Sequence, residues 1–395
     1  LRDIGTRERQ MDESRKAAGE ILSALTGDLE FSNLFDIIDP EAHLEDPESS
    51  GLTARKTNFR DWRAITAEVL IKGGVRVKGE KLTAELRLFD TVKETQLMGK
   101  RYVGKTSNPR AVAHRFADDV IEKLTGAKGI FATRLLFVSE KSGTKEVYVS
   151  DYDGHNAKRL THNGSINLSP RWSPDGGKVL YSSYMAGEPA TYVLNLKNGR
   201  VISVSSRPGI NIGARWAPDG TKIALTLSVD RSPELYTLDL GTMKYTRLTR
   251  NHGIDVSPTW SPDGKTIAFV SDVAGNPHIY MIDSGGGSPR RITFEGKYNS
   301  DPVWSPDGKR IAFARMSGGK FQIWSMRADG KGAVQLTYRG NNKAPSWSPD
   351  GRYIAFQSSR GGRDEIYMMR SDGGGLKKVN TGIGGVFPSW SPFMD

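Results

Sequence analysis

The 395-residue chain contains no cysteine, which excludes disulfides and thiolate-ligated zinc. No run of 18 apolar residues occurs, so no segment reads as a membrane-spanning helix. No signal peptide is visible, and the first residue is Leu1 and not Met, so something upstream is expected to have been removed. Gly-x-Ser-x-Gly is missing, and with it the nucleophile elbow of a hydrolase. The 6 histidines are scattered, with no His-Glu-x-x-His or other paired spacing, which argues against a metalloenzyme. Despite a net charge of +11 there is no long basic run. Lys and Arg are spread among acids, whereas binding to nucleic acid needs a clustered footprint. The basic balance fits an anionic partner or envelope. Asp283-Ser284-Gly285-Gly286-Gly287 follows a strand but opens no helix and lacks Gly-Lys-Ser/Thr, so it reads as a hairpin turn. Asp151-Tyr152-Asp153-Gly154 lacks the spacing and distal Glu of a calcium loop and reads as a turn too.

What the chain does have is a repeat. Ser257 to Ser271 reads as strand, tight turn and strand, with Pro262 presetting φ and Gly264 supplying the return. The phrase recurs around Trp172, Trp216, Trp260, Trp304, Trp347 and Trp390, at intervals of 44, 44, 44, 43 and 43 residues. A period of about 40–45 with four strands per unit is the signature of a β-propeller. Arg134 to Val138, Val147 to Asp151 and Arg159-Leu160-Thr161 match the second, third and fourth strands of a unit that lacks a first strand. The last unit, around Val386 to Trp390, has only that first strand. The prediction is an all-β six-bladed propeller over residues 131–395, closed Velcro-fashion by the C-terminal strand, which removes free sheet edges. The tryptophans are expected to pack between blades, and the Asp of Pro-Asp-Gly to bind local backbone amides.

Residues 1–130 show no repeat and are expected to form a smaller α/β domain. Ala17, Ala18, Ile21, Leu22 and Leu25 mark a helix ending near Gly27, followed by a short strand over Phe31 to Ile38. A polar loop with a short helix is expected over 40–60. Strands follow over Ala67–Val77, Leu82–Phe89 and Leu97–Val103. Asn108-Pro109 opens a helix that runs to Gly126. The short junction at Lys128 to Thr133 predicts restricted domain motion.

Nothing in the chain assembles an acid, a base and a nucleophile. The mouth of the propeller channel is the remaining candidate site. Five residues before each Trp stand Asn167, Asn211, Asp255, Asn299, Asn342 and Gly385. The five polar members read either as turn residues or as a ring offering donors and acceptors to an inserted loop or an ion. His252, Tyr298, Asp301, Arg339 and Lys343 lie near them in sequence. If the ring is a binding ring, replacing Asn211, Asp255 and Asn299 with Ala should spare the melting temperature.

Ala113-His114-Arg115-Phe116-Ala117-Asp118-Asp119, Glu122 to Gly126 and Gly129-Ile130-Phe131-Ala132-Thr133-Arg134 resemble the domain junction of the TolB family. Ser150-Asp151-Tyr152-Asp153-Gly154 and the terminal Phe387-Pro388-Ser389-Trp390-Ser391-Pro392 are similar to it as well. The resemblance implies a monomeric, non-enzymatic periplasmic scaffold of the Tol–Pal system, without cofactor, supporting outer-membrane integrity and cell division. It implies that the peptidoglycan-associated lipoprotein Pal binds at the channel mouth, on the ten residues from Asn167 to Lys343 named above. It implies contact with TolA through an N-terminal arm ahead of the first helix, an arm expected to be missing from the given sequence. Two other readings stand beside it. One is a propeller that holds a metal ion or small ligand in its channel, for which Asp255 and Asp301 are the candidates, with an accessory channel ion as the milder form. The other is the gating propeller of a serine peptidase, which would need a following hydrolase domain.

Overall fold

The computed structural model describes residues 2–45, 51–229 and 232–394. The chain packs as two units, Leu1–Ala132 and Thr133–Asp395.

In the first unit, helix α1 spans Arg2–Ser32. Ala17, Ile21, Ala24, Leu25, Asp28 and Leu29 are buried at helical spacing. Two expectations fail here. Gly27 does not end the helix, because Asp28 and Leu29 continue the buried stripe for another turn. The strand over Phe31 to Ile38 does not form; Phe31 lies in the last turn of α1, and Asn33 at φ 57° turns the chain away. Leu22 is 62% exposed, on the opposite side of the helix. Among its described residues the loop expected over 40–60 holds only two 3-10 turns, Pro40–Ala42 and Ala54–Lys56, and the short helix, α2, comes later than expected, at Phe59–Ala64; residues 46–50 lie outside the described residues. Strands β1 (Val69–Lys78), β2 (Lys81–Asp90) and β3 (Thr95–Lys105) pair antiparallel in that order. Leu82, Ala84, Leu86 and Leu88 alternate inward along β2. Helix α3 (Arg110–Thr125) is capped by Asn108, whose Oδ1 accepts from Ala111 N at 3.2 Å, and ends at Gly126 with φ 75°. It packs on α1, where His114 Nδ1 and Asp28 Oδ2 meet at 2.7 Å in the core. Asp118 on α3 accepts from the backbone N–H groups of Phe131 (2.7 Å) and Ala132 (2.9 Å).

In the second unit six four-stranded antiparallel sheets follow one another as blades. Blade one consists of Arg134–Ser139, Glu146–Asp151 and Lys158–Arg159, completed by the C-terminal strand Val386–Trp390 as its innermost member. The innermost strands of blades two to six are Asn167–Trp172, Asn211–Trp216, Asp255–Trp260, Asn299–Trp304 and Asn342–Trp347. Each touches the innermost strand of the next blade, and Val386–Trp390 touches Asn167–Trp172, so the ring closes.

Each blade core is built from alternating aliphatic and aromatic residues of the two middle strands. In blade four these are Ile267, Phe269, Tyr280 and Ile282, packed with Trp260 and with Leu235 of the blade before. The tryptophans lie between blades. Trp172, Trp260 and Trp347 donate their indole N–H groups to the carbonyls of Ser389, Arg215 and Val303, each one residue before the preceding blade's Trp.

The turn phrase works through its serine and aspartate. Ser305 Oγ donates to Asp307 Oδ1 at 2.6 Å and accepts from Arg310 N at 2.9 Å, while Asp307 Oδ1 also accepts from Lys309 N at 3.0 Å. Ser173/Asp175, Ser261/Asp263 and Ser348/Asp350 repeat the arrangement. In the copy with Ala217 in place of Ser, the Thr221 hydroxyl donates to Asp219 Oδ1 at 2.9 Å instead.

Candidate functional site: the mouth and channel of the propeller

Every innermost strand starts at one end of the ring. The loops that enter these strands and the hairpins between second and third strands therefore share that end, the mouth.

Asn167, Asn211, Asp255, Asn299 and Asn342 fall where expected in register, but their side chains are fully buried. Their hydrogen bonds run within the protein. Asn299 Nδ2 donates to Glu295 O (3.1 Å) and lies 3.1 Å from His278 Nδ1, while its Oδ1 accepts from Arg315 Nε (2.9 Å). Asn342 donates to Gln322 Oε1 (2.8 Å) and Arg339 O (2.9 Å) and accepts from Arg360 Nη2 (3.1 Å). Asn167 donates to Lys145 O and Glu146 Oε2. Asn211 accepts from Ser205 Oγ and Arg207 N. Glu146 and His278 begin the third strand of the preceding blade, and Gln322 lies near the start of its own, Lys320–Arg327. The ring residues thus lock the crossover from one blade to the next. The expectation that they present free amides to a partner is corrected: a buried amide with its donors and acceptors used has none to offer. The sixth position is Gly385, where a Cβ would stand 2.8 Å from Ile366 Cδ1 and 3.0 Å from Phe137 Cδ2.

Asp255 is the acidic member of the set. Its Oδ2 accepts from Asn251 Nδ2 at 2.7 Å. Burial, together with the nearby Glu234, raises its pKa, opposed by the hydroxyls of Ser271 and Thr249 and the amide of Asn251. Asp301 lies elsewhere, on the channel wall beside Pro302 and Ala344, whose N–H it accepts at 3.3 Å. The two carboxylates proposed as cation ligands stand in different environments.

The other candidates lie nearer the surface. His252 and Arg339 are exposed, and Lys343 is half-buried. Tyr298, 39% exposed, packs edge-on against Phe321 (5.3 Å between centroids), and Lys343 Nζ stands 4.4 Å from the centre of the same ring.

Sequence reasoning missed two groups. Phe294 and Tyr338, each 74% exposed, stand on the mouth loops, with Ile254, Met185 and Tyr184 also exposed at this end. Arg291 lies 5.2 Å from the ring centre of Phe294. The signal was present, because Phe294 and Tyr338 follow the repeated Arg-Ile-Thr and Gln-Leu-Thr at a position that is His162 and Arg250 in other units. The second group is Arg171 and Arg215, each preceding a repeat tryptophan, which line the channel with Asp301, Thr259 and Ser346. A bulge brings them there. The residue three before each repeat tryptophan has positive φ, from Ser169 (51°) and Gly213 (68°) to Asp301 (51°) and Phe387 (54°). The pairing slips at that point, so Val256 opposes Val270 but Thr259 opposes Ala268.

Residues 121–394 match the family described as "TolB beta propeller domain", and residues 4–97 match "TolB amino-terminal domain". A Tol-Pal system protein TolB from Desulfosudis oleivorans is 46% identical over 169 residues, covering 43% of this chain and 39% of that protein. One from Syntrophotalea carbinolica is 45% identical over 163 residues, covering 41% and 38%. The chain thus spans about two-fifths of the length of these curated relatives. The crystal structure of TolB from Acinetobacter baumannii is similar with a TM-score of 0.83 at 28% identity, covering 94% of each chain. The propeller match alone takes in more than half of the sequence, and the chain belongs to the TolB family, whose curated members are Tol-Pal system proteins.

Proposed function

We propose that the chain is a non-enzymatic periplasmic scaffold of the Tol–Pal system that docks Pal on the propeller mouth and links it to TolA. The observation that carries the reading is the exposed aromatic and cationic rim: Phe294, Tyr298 and Tyr338, flanked by His252, Arg339 and Lys343. Large aromatic side chains left in water beside cations are the residues that anchor protein interfaces. The buried ring residues support this surface from beneath by fixing the loops that carry it. The link to TolA belongs to a segment ahead of the N-terminal core. Family membership supports the assignment to the Tol–Pal system, with roles in outer-membrane integrity and cell division.

The test is titration calorimetry of the chain with the soluble domain of Pal from the same organism. Saturable one-to-one binding is expected, weakened about tenfold or more by Tyr338→Ala with Phe294→Ala, at an unchanged melting temperature. Equal affinity of that double variant would move the site off the rim. No binding at low or high salt would remove Pal as the partner.

A further inference from the structure

The channel wall carries more positive charge than it neutralises. Arg171 and Arg215 stand on the adjacent innermost strands of blades two and three. Asp301 stands on blade five, across the ring from Arg171. All three line a half-open cavity of about 220 Å³, whose other walls are prolines, tryptophans, small hydroxylic residues, Val303 and Ala344. Both arginines are partly exposed, and both line this cavity. Their hydrogen bonds among the described residues go to backbone carbonyls only. Arg171 Nη1 donates to Pro170 O (2.8 Å) and Pro388 O (3.4 Å), and Arg215 Nη1 donates to Ala214 O (3.2 Å). Asp301 spends one oxygen on the Ala344 N–H and makes no direct hydrogen bond to either guanidinium.

Two guanidiniums against one carboxylate leave one positive charge uncompensated in a desolvated place. Such a charge is costly unless paired. Deprotonation is not open to an arginine near neutral pH, so the balance must come from outside the chain. A guanidinium presents a planar fork that matches the oxygens of a carboxylate or phosphate. The Nε and Nη2 groups of both residues remain available for it. A cation here would meet two like charges, which reverses the sign of the accessory ion considered from the sequence.

We propose that the propeller channel is a binding site for one small oxyanion, held by Arg171 and Arg215. Inorganic phosphate and a carboxylate carry the same chemistry. The site is separate from the rim and does not depend on whether Pal docks there.

The experiment is calorimetric titration of the chain with inorganic phosphate at constant ionic strength, balanced with chloride. Saturable binding is expected, weakened about tenfold or more by Arg171→Gln or Arg215→Gln. Asp301→Asn removes the competing negative charge and should tighten binding. Acetate as a second titrant distinguishes the sources: binding as tight as phosphate assigns the site to a carboxylate, weaker binding to a tetrahedral oxyanion. No saturable binding of either anion, or equal affinity in the Arg171→Gln/Arg215→Gln variant, overturns the proposal. Should the arginine variants fail to fold, an Asp301→Asn protein with the affinity of the wild type overturns it as well.

Discussion

Trp390 donates its indole N–H to the hydroxyl of Thr133 at 2.8 Å, joining residues 257 positions apart. Ser391 reinforces the seam, accepting from Arg134 N at 3.0 Å through its hydroxyl and donating its own N–H to Arg134 O at 2.9 Å. The ring is therefore held shut by the last strand of the sequence. Trp390→Ala should destabilise the propeller by about 3–5 kcal/mol, the usual cost of removing a buried indole. Trp390→Phe keeps most of the volume but loses the N–H, and should cost less, about 1–2 kcal/mol beyond the small change in bulk. Urea unfolding followed by tryptophan fluorescence gives both values. Equal midpoints for Trp390→Ala and wild type would show that the seam does not hold the ring.

The buried Asn299 makes the opposite prediction from a binding ring. Asn299→Ala leaves Arg315 Nε without its acceptor in the core and takes one of two partners from His278 Nδ1, which keeps Thr293 Oγ1 at 3.2 Å. Stranding a buried polar group costs about 1–3 kcal/mol. The variant should therefore melt lower, and at a temperature where it is folded it should bind Pal like the wild type. Thermal unfolding and calorimetry together check this. An unchanged melting temperature with lost binding would restore Asn299 to a direct contact.

The blades were legible in the sequence because their periods are rigid. The tryptophan interval, the Pro-Asp-Gly turn and the alternation of Ile267 and Phe269 each follow from local geometry. The direction of Asn299 was not legible. A bulge at Asp301 breaks the two-residue alternation, so counting from Trp304 puts Asn299 on the wrong side. Its partners, His278 and Arg315, come from other strands that only the fold brings near. The end of α1 misled for another reason. A glycine inside a helix costs about 1 kcal/mol, and burial of Leu29 with the Asp28–His114 pair outweighs it. The exposed Phe294 and Tyr338 were legible in principle, as variable positions beside a repeated phrase, but exposure itself is a property of the packed ring.

The turns offer a substitution that the chain has already made. Ser305→Ala removes the hydroxyl that joins Asp307 Oδ1 to Arg310 N, a loss of about 1–2 kcal/mol. In blade three Ala217 stands at that position and Thr221 supplies the missing hydroxyl to Asp219. Lys309 occupies the place of Thr221, so Ser305→Ala with Lys309→Thr should recover part of the loss. A double-mutant cycle in urea reads the coupling. Strict additivity of the two changes would mean that the threonine does not substitute for the serine.

His278 sets a pH dependence whose sign is fixed. Burial, with Arg291 and Arg315 nearby, pushes its pKa down to about 4. The unfolded chain has an ordinary histidine there, near 6.5. Between those values the unfolded state binds the proton that the folded state refuses, so this residue makes stability fall as pH drops from about 6.5 to 4. The acids of the turns, Asp175, Asp219 and Asp307, are held below their usual range, by the Ser173 hydroxyl, the Thr221 backbone N–H and the Ser305 hydroxyl respectively. Their contribution is present above the ordinary carboxylate range and is lost further down, as pH falls below about 4. The two effects separate on the pH axis. Gln322 stands in the next blade where His278 stands in its own, donating from Nε2 to Gly340 O and accepting from Asn342. His278→Gln should therefore fold, flatten the stability profile between pH 6.5 and 4, and leave the loss below pH 4 in place. Urea midpoints measured across pH 3 to 8 check it; an unchanged slope above pH 4 would assign that acid sensitivity to other groups.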